Sequence, residues 1–225
     1  MDGISLFSLY LSLKVAFTAT FFSMLIGIPI AYYLSRSTGK LTDFVDTIIT
    51  LPVVLPPTVL GYYLLVLLGR QSFIGKFLES KFDMMIVFTP TGAIIAAMVV
   101  SIPYMIKSVR TAFLDINPDL INAARVLGRT ELNIFFEIMI PISWRGIASG
   151  IALSFSRALG DFGTTLMVAG NIPYQTTTMP IAIYDALISG NHELVNLLVF
   201  IMTMISITVL FLINRLEKRM IKGRL

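Results

Sequence analysis

The chain has 225 residues, of which 56% are hydrophobic and 13% charged, with a formal net charge of +4. Soluble domains carry about 25% charged residues, so a mean hydropathy of +0.85 over this length excludes a soluble globular protein and predicts a polytopic membrane protein. At about 20 residues per transmembrane helix there is room for five or six helices, and none for a large water-soluble domain beside them.

The start, Met1-Asp2-Gly3, carries no Lys or Arg before the apolar run, so it lacks the positive region of a cleavable signal and is expected to be retained. Apolar runs then predict five spans, at about 4–34, 47–69, 89–107, 144–170 and 194–214. They are continuous rather than alternating, which excludes a membrane β-barrel. The first contains Pro29, the third Pro103, and the second Pro52, Pro56 and Pro57 followed by Thr58. Proline removes a backbone hydrogen bond and bends a helix, and in lipid the freed carbonyls need a neighbour or a wet cavity. Regular helix is therefore not expected around 51–58, and Pro52, Pro56, Pro57 and Thr58 become candidates for a path or gate, with a plain packing kink as the alternative. The fourth span repeats Gly146, Gly150, Ser154 and Ala158 every four residues, a small-residue stripe that lets another helix come close. Arg157 and Asp161 are the ionisable pair deep in that span. Four residues apart, they are expected to share a helix face and pair. They either lock the span to its neighbours, which is the favoured reading, or Arg157 and Asp161 line a path, together with the candidates Pro52, Pro56, Pro57 and Thr58.

The positive-inside rule sets the orientation. With the C-terminus in the cytoplasm, the inner segments hold Arg36, Lys40, Lys107, Arg110, Arg125, Arg129, Arg145, Arg215, Lys218, Arg219, Lys222 and Arg224, twelve of the seventeen basic residues. The outer loops hold Arg70, Lys76 and Lys81, so the chain is read as N-out, C-in. Lys14 is expected to snorkel at the outer edge of the first span. Basic residues at helix ends are a membrane pattern and give no reason to expect nucleic acid. There is no cysteine and a single histidine, His192. Thiol chemistry is excluded, a multi-histidine metal site is not expected, and His192 reads as an ordinary loop residue. Gly39-Lys40 and Gly75-Lys76 are followed by Leu41 and Phe77, so no phosphate-cradling loop is present. No catalytic constellation accompanies Arg157 and Asp161, and an enzyme is not expected.

The cytoplasmic segment at about 108–142 reads as folded. Asn117 caps a helix with Pro118 in its first position and Asp119 in its first turn. Gly128 ends that helix, and Thr130 caps a second one that should stop at Pro141. Leu120, Ala123, Ala124 and Leu127 form an apolar surface that needs a partner, either the chain's own helices or a soluble protein. Asn122-Ala123-Ala124, three residues, Gly128, nine residues, then Ile138-Met139-Ile140-Pro141 resembles the EAA loop of ABC-importer permeases. That family's pattern is Glu-Ala-Ala, three residues, Gly, nine residues, Ile-x-Leu-Pro. Asn122 stands for its Glu and Ile140 for its Leu. The stretches 51–62, 68–70, 87–89, 157–163, 169–173 and 178–184 resemble the signatures of molybdate permeases, with Asp161 where Glu is more usual.

The resemblance implies an all-α type I ABC-importer permease of MetI-like fold, in the CysTW-like subfamily, forming a single permease domain over 1–225. It implies molybdate as the cargo, with tungstate or sulfate as alternatives. Five spans with kinking prolines would also serve a homo-oligomeric channel, a remote alternative that gives no reason for a hairpin with this spacing. It further implies a second copy of the chain, separate cytoplasmic ATPase subunits that bind ATP and Mg, an extracytoplasmic oxyanion-binding protein, and a bacterial or archaeal cytoplasmic membrane. No cofactor would be bound by this chain itself. The ATPase-coupling residues would be Asn122, Ala123, Ala124, Gly128, Ile138 and Pro141.

Overall fold

The computed structural model describes residues 3–222, which form twelve α-helices and one π-helical stretch with no strand among them. Met1, Asp2 and Arg224, on which two of the readings above bear, lie outside the described residues, as do the side chains of Lys218, Arg219 and Lys222.

Helix α1 (Gly3–Arg36) passes through Pro29 and α5 (Pro90–Leu114) through Pro103; neither proline ends its helix. These two helices share the most extensive interface in the chain. Gly27 of α1 rests on Met105 and Ile106 of α5, and the hydroxyls of Ser23 and Ser101 are 3.2 Å apart in a buried hydrogen bond. Helix α5 starts as a capped helix should. Thr89 Oγ1 accepts from the Gly92 N–H at 3.3 Å, with Pro90 in the first turn. It ends at Leu114 rather than near 107, because nothing between the membrane edge and Asn117-Pro118 breaks it.

The second span is two helices, α2 (Lys40–Val54) and α3 (Pro57–Leu68), bent by 115°. The ring of Pro57 forces Pro56 into an extended conformation, with ψ 137. Pro57 has no N–H to continue the ladder, yet it suits the first position of a new helix. The outer loop that follows carries an unforeseen helix, α4 (Phe73–Phe82), capped by Ser72 accepting from the Gly75 N–H at 2.8 Å.

The cytoplasmic segment holds α6 (Pro118–Val126), α7 (Glu131–Asn133), a π-helical stretch over Ile134–Met139 and α8 (Ile140–Ile142). The second hairpin helix was expected to stop at Pro141; it runs through. Ahead of the proline the ladder slips by one residue, so that the Ile140 N–H bonds to Phe135 O, five residues back. The helix then bends by 73° at Ser143 into α9 (Trp144–Leu159). The fourth span is also discontinuous. It ends at Leu159, and α10 (Gly163–Ala169) restarts after Gly160, Asp161 and Phe162. A short outer helix, α11 (Met179–Ile188), leads to the long α12 (His192–Lys222), where His192 takes the first position and is exposed.

Helix α9 is central, packed by α1, α5 and α12. Its small-residue stripe fits α5. Gly146 lies directly against Ala112, with no room for a Cβ. Ser108 Oγ donates to Gly146 O at 2.8 Å, and Ser154 Oγ to Ser101 O at 3.2 Å. Leu6–Arg36, Pro90–Leu114 and His192–Ile213 are long and apolar enough to cross a membrane; the two bent pairs bring the number up to five.

Candidate coupling hairpin and translocation face

In the hairpin, Asn117 Oδ1 accepts from the Asp119 N–H at 2.9 Å and Thr130 Oγ1 from the Asn133 N–H at 3.3 Å. Between the caps, Gly128 has φ +78. The Arg129 N–H returns to Ala124 O and the Gly128 N–H to Arg125 O, each at 3.0 Å. This is the glycine-terminated helix end expected there. Of the apolar surface read from the sequence, Ala124 turns inward with Ile121, at 6% and 3% exposure. Leu120, Ala123 and Leu127 stay exposed, joined by Val126, Leu132 and Phe136. Val126 and Leu127 are 88% and 82% exposed, so the chain's own helices do not cover them. Asn122 is also exposed, with Oδ1 3.4 Å from an Arg125 nitrogen. Ile138 and Pro141 are half-buried at the root.

Several residues that anchor this hairpin escaped the sequence reading. Arg125 Nε donates to Glu131 Oε1 at 2.6 Å across the glycine bend. Opposite charges flanking Gly128 were the signal for it. The Arg125 hydrogen bond holds the Glu131 carboxyl below its ordinary range, helped by the Tyr32 hydroxyl, which donates to Oε2 at 3.1 Å. Tyr32 thereby joins the inner end of α1 to the hairpin. Its ring packs edge-on against Phe135 at 5.0 Å and Phe113 at 6.4 Å, tying α1, α5 and the π-helical stretch together.

The candidate path residues fall around the two helix breaks, which lie side by side. Gly163, at the start of α10, packs on Pro57 at the start of α3, and Gly61 packs on Met167 and Thr164. Pro56, Pro57 and Thr58 are exposed and Pro52 half-buried. Arg157 and Asp161 were expected on one helix face; instead the helix ends between them. Their ion pair is 3.4 Å long, with the Arg157 side chain 28% exposed and that of Asp161 1%. Asp161 Oδ2 accepts from the Thr165 N–H at 2.9 Å and from Thr165 Oγ1 at 2.8 Å. The carboxylate therefore starts α10 by claiming a backbone N–H, the local competition that makes Asp a helix starter. Asp161 followed by Gly163 and Thr165 was the available signal.

One face of α9 has no partner. Ser149, Leu153, Ser156 and Gly160 are exposed, at spacings of four, three and four that put them in one row. Arg157 adjoins the row one turn after Leu153. At the cytoplasmic end the row opens into a groove of 710 Å³ between α5, α9 and Val53 of α2. No group of three or more potential metal ligands occurs among the described residues.

The chain matches the model of the binding-protein-dependent transport system inner membrane component family over residues 23–222. It is 41% identical over 183 residues to the molybdenum transport system permease protein ModB of Escherichia coli (strain K12), covering 81% of this chain and 80% of that one. It is 36% identical to the ModB protein of Haemophilus influenzae, with coverage of 94% and 93%. Among solved structures, an inward-facing MetNI methionine ABC transporter superposes with a TM-score of 0.75 at 19% identity, covering 98% of this chain and 99% of that one, which shows a shared fold. With its all-helical bundle, its discontinuous spans and its helical hairpin, the chain belongs to the binding-protein-dependent transport system inner membrane components.

Proposed function

We propose that this chain is the permease subunit of a molybdate importer in a bacterial or archaeal cytoplasmic membrane, spanning it several times. The observation that carries the reading is the uncovered apolar tip of the hairpin, on a chain of this family that has no phosphate-binding loop of its own. The names of the ModB relatives support molybdate over tungstate and sulfate. Two copies would enclose the path, each contributing the unpartnered face of α9 and the adjoining breaks at Pro56-Pro57 and Gly160–Phe162. Separate ATPase subunits, which hold ATP and Mg, would dock on Val126, Leu127, Leu132 and Phe136, with Asn122 and Ala123 beside them. An extracytoplasmic protein would deliver the oxyanion.

The mechanism follows from stiffness. The hairpin is fastened to α1 and α5 through Tyr32, Phe113 and Phe135, and continues through Ser143 into α9. Displacement of its tip by a closing ATPase pair therefore turns α9, the helix that bears the open face. The chain itself breaks no bond; it converts that movement into a change in which side of the path is open. Reconstitution tests the proposal. With the ATPase subunits and the binding protein in proteoliposomes, molybdate should stimulate ATP hydrolysis and be accumulated. Stimulation by sulfate but not by molybdate would overturn the choice of cargo. Transport without any ATPase subunit would overturn the importer reading.

A further inference from the structure

The cytoplasmic groove carries an unused pair of charges. Arg110 pairs with Asp46 at 3.1 Å, Arg125 with Glu131 at 2.6 Å and Arg129 with Glu137 at 3.3 Å. Lys107 and Arg145 meet no carboxylate among the described residues, both are exposed, and both line the groove, one from α5 and one from the start of α9. Ser149 and Leu153, from the open face of α9, line it too, so the groove continues the row that passes Arg157. The one carboxylate in its wall is Asp115, which caps the end of α5 about 12 Å along the axis from Lys107 and one turn beyond Ala112, the residue that packs on Gly146 beside Arg145.

We propose that Lys107 and Arg145 form an exit basin that holds a doubly charged oxyanion after it leaves the membrane path. The proposal rests on the reading of the chain as an oxyanion permease. A cavity of 710 Å³ is far too roomy to grip a single tetrahedral ion. The ion would be held hydrated, by two cations that line the same groove, in a wet, high-dielectric space where attraction is weak and screened by salt. Weak, non-stoichiometric retention suits a site that has to release its cargo. It also draws the ion off the path by raising its local concentration at the mouth. The shared chemistry is that of anionic oxygens, which a lipid phosphate also offers.

The test uses the assembled complex of two permease copies with their ATPase subunits, free of nucleotide, in nanodiscs of zwitterionic lipid. A reporter thiol is placed in the groove by Ser149→Cys, in a chain that has no native cysteine. Its rates of reaction with a negatively and a positively charged methanethiosulfonate are measured and each normalised to a free thiol. The basin predicts a preference for the anionic reagent of about tenfold at low salt, shrinking as salt is added. The preference should vanish with Lys107→Gln plus Arg145→Gln and persist with Lys107→Arg, each variant first shown to co-elute with its ATPase. Millimolar molybdate should slow the anionic reagent alone. No charge preference, a preference that survives the double change, or no protection by molybdate would each overturn the basin. If anionic lipid abolishes the preference and molybdate does not, the groove holds lipid phosphate and the proposal falls. Molybdate-stimulated ATP hydrolysis is read on the same preparation. If stimulation is intact and the preference absent, the basin falls and the transport reading stands; if the preference is present and stimulation absent, the transport reading falls and the basin loses its role as an exit with it.

Discussion

Asp161 and Arg157 are unequal partners. The carboxylate is sealed in the chain and receives both donors of Thr165 as well as the arginine. The guanidinium is partly open toward the face of α9 that nothing covers. Asp161→Ala removes a helix start worth about 0.5–2 kcal/mol and strands the arginine. It should lower the melting temperature of the purified complex more than Arg157→Gln does. Asp161→Asn keeps an acceptor for the Thr165 N–H and should fall between them, and adding Arg157→Gln to it should recover part of the loss. If Arg157→Gln leaves the melting temperature unchanged and abolishes transport, and the double change does not restore it, the residue acts on the cargo rather than on the fold. The pairing was legible in the sequence, since two charges four apart in an apolar run have few other choices. The break between them was not. It arises because a side chain outcompetes the helix for a backbone N–H, and spacing does not encode that contest. Gly146 is the opposite case, a residue whose role was visible from its stripe. Gly146→Ala would drive a methyl group into Ala112 and should destabilise the α5–α9 interface by about 1–3 kcal/mol, measurable as a lower melting temperature.

The hairpin shows the same division at the level of elements. Its caps at Asn117, Gly128 and Thr130 are local chemistry and could be read directly. The end of its second helix could not, because a slip of one residue in the ladder lets the chain pass Pro141 without stopping. Space around Gly128 is open, and the constraint there is its positive φ. Gly128→Asn, which tolerates that conformation, should therefore transport nearly as well as the parent. Gly128→Val should uncouple ATP hydrolysis from uptake, with the bundle intact. Equal transport by both would mean the bend can be redrawn. Val126→Asp with Leu127→Asp should abolish co-purification of the ATPase while leaving the helical content unchanged, since neither side chain is buried here. The depressed Glu131 carboxyl sets a pH window for the bend. The stability its pairing contributes is complete above the ordinary glutamate value of 4.5 and is lost as pH falls below it. Docking near neutral pH should therefore not depend on this pair's titration.

Across the molecule, the all-helical class and the place of the hairpin followed from hydropathy and charge; against five expected spans stand three long apolar helices, or up to five with the bent pairs. The break in the second span was legible too, from its prolines; helix α4, the long extension of α5 and the break in the fourth span were not, because they depend on caps and on neighbours distant in sequence. The exposed bend at Thr58 belongs to this scale, since in the proposed importer its use depends on a second copy. Thr58→Cys in both copies should form a disulfide or bismaleimide link whose yield changes with ATP and the binding protein. A yield indifferent to both would make the bend a packing feature.

The discontinuity at Pro56-Pro57 also bears on how the chain enters the bilayer. Helix α2 has 15 residues and α3 has 12, so neither alone reaches the roughly 20 needed to cross hydrocarbon. The surface on which α3 settles is α10, which is synthesised about a hundred residues later. The insertion machinery therefore meets the second span as two short helices, of which α2 can already settle on α5 while α3 still lacks its main partner. The placement of α3 should be complete only once the fourth span has emerged and folded back on it. A chain truncated after α5 should accordingly leave this segment accessible to aqueous thiol reagents, and one extended past α10 should close it.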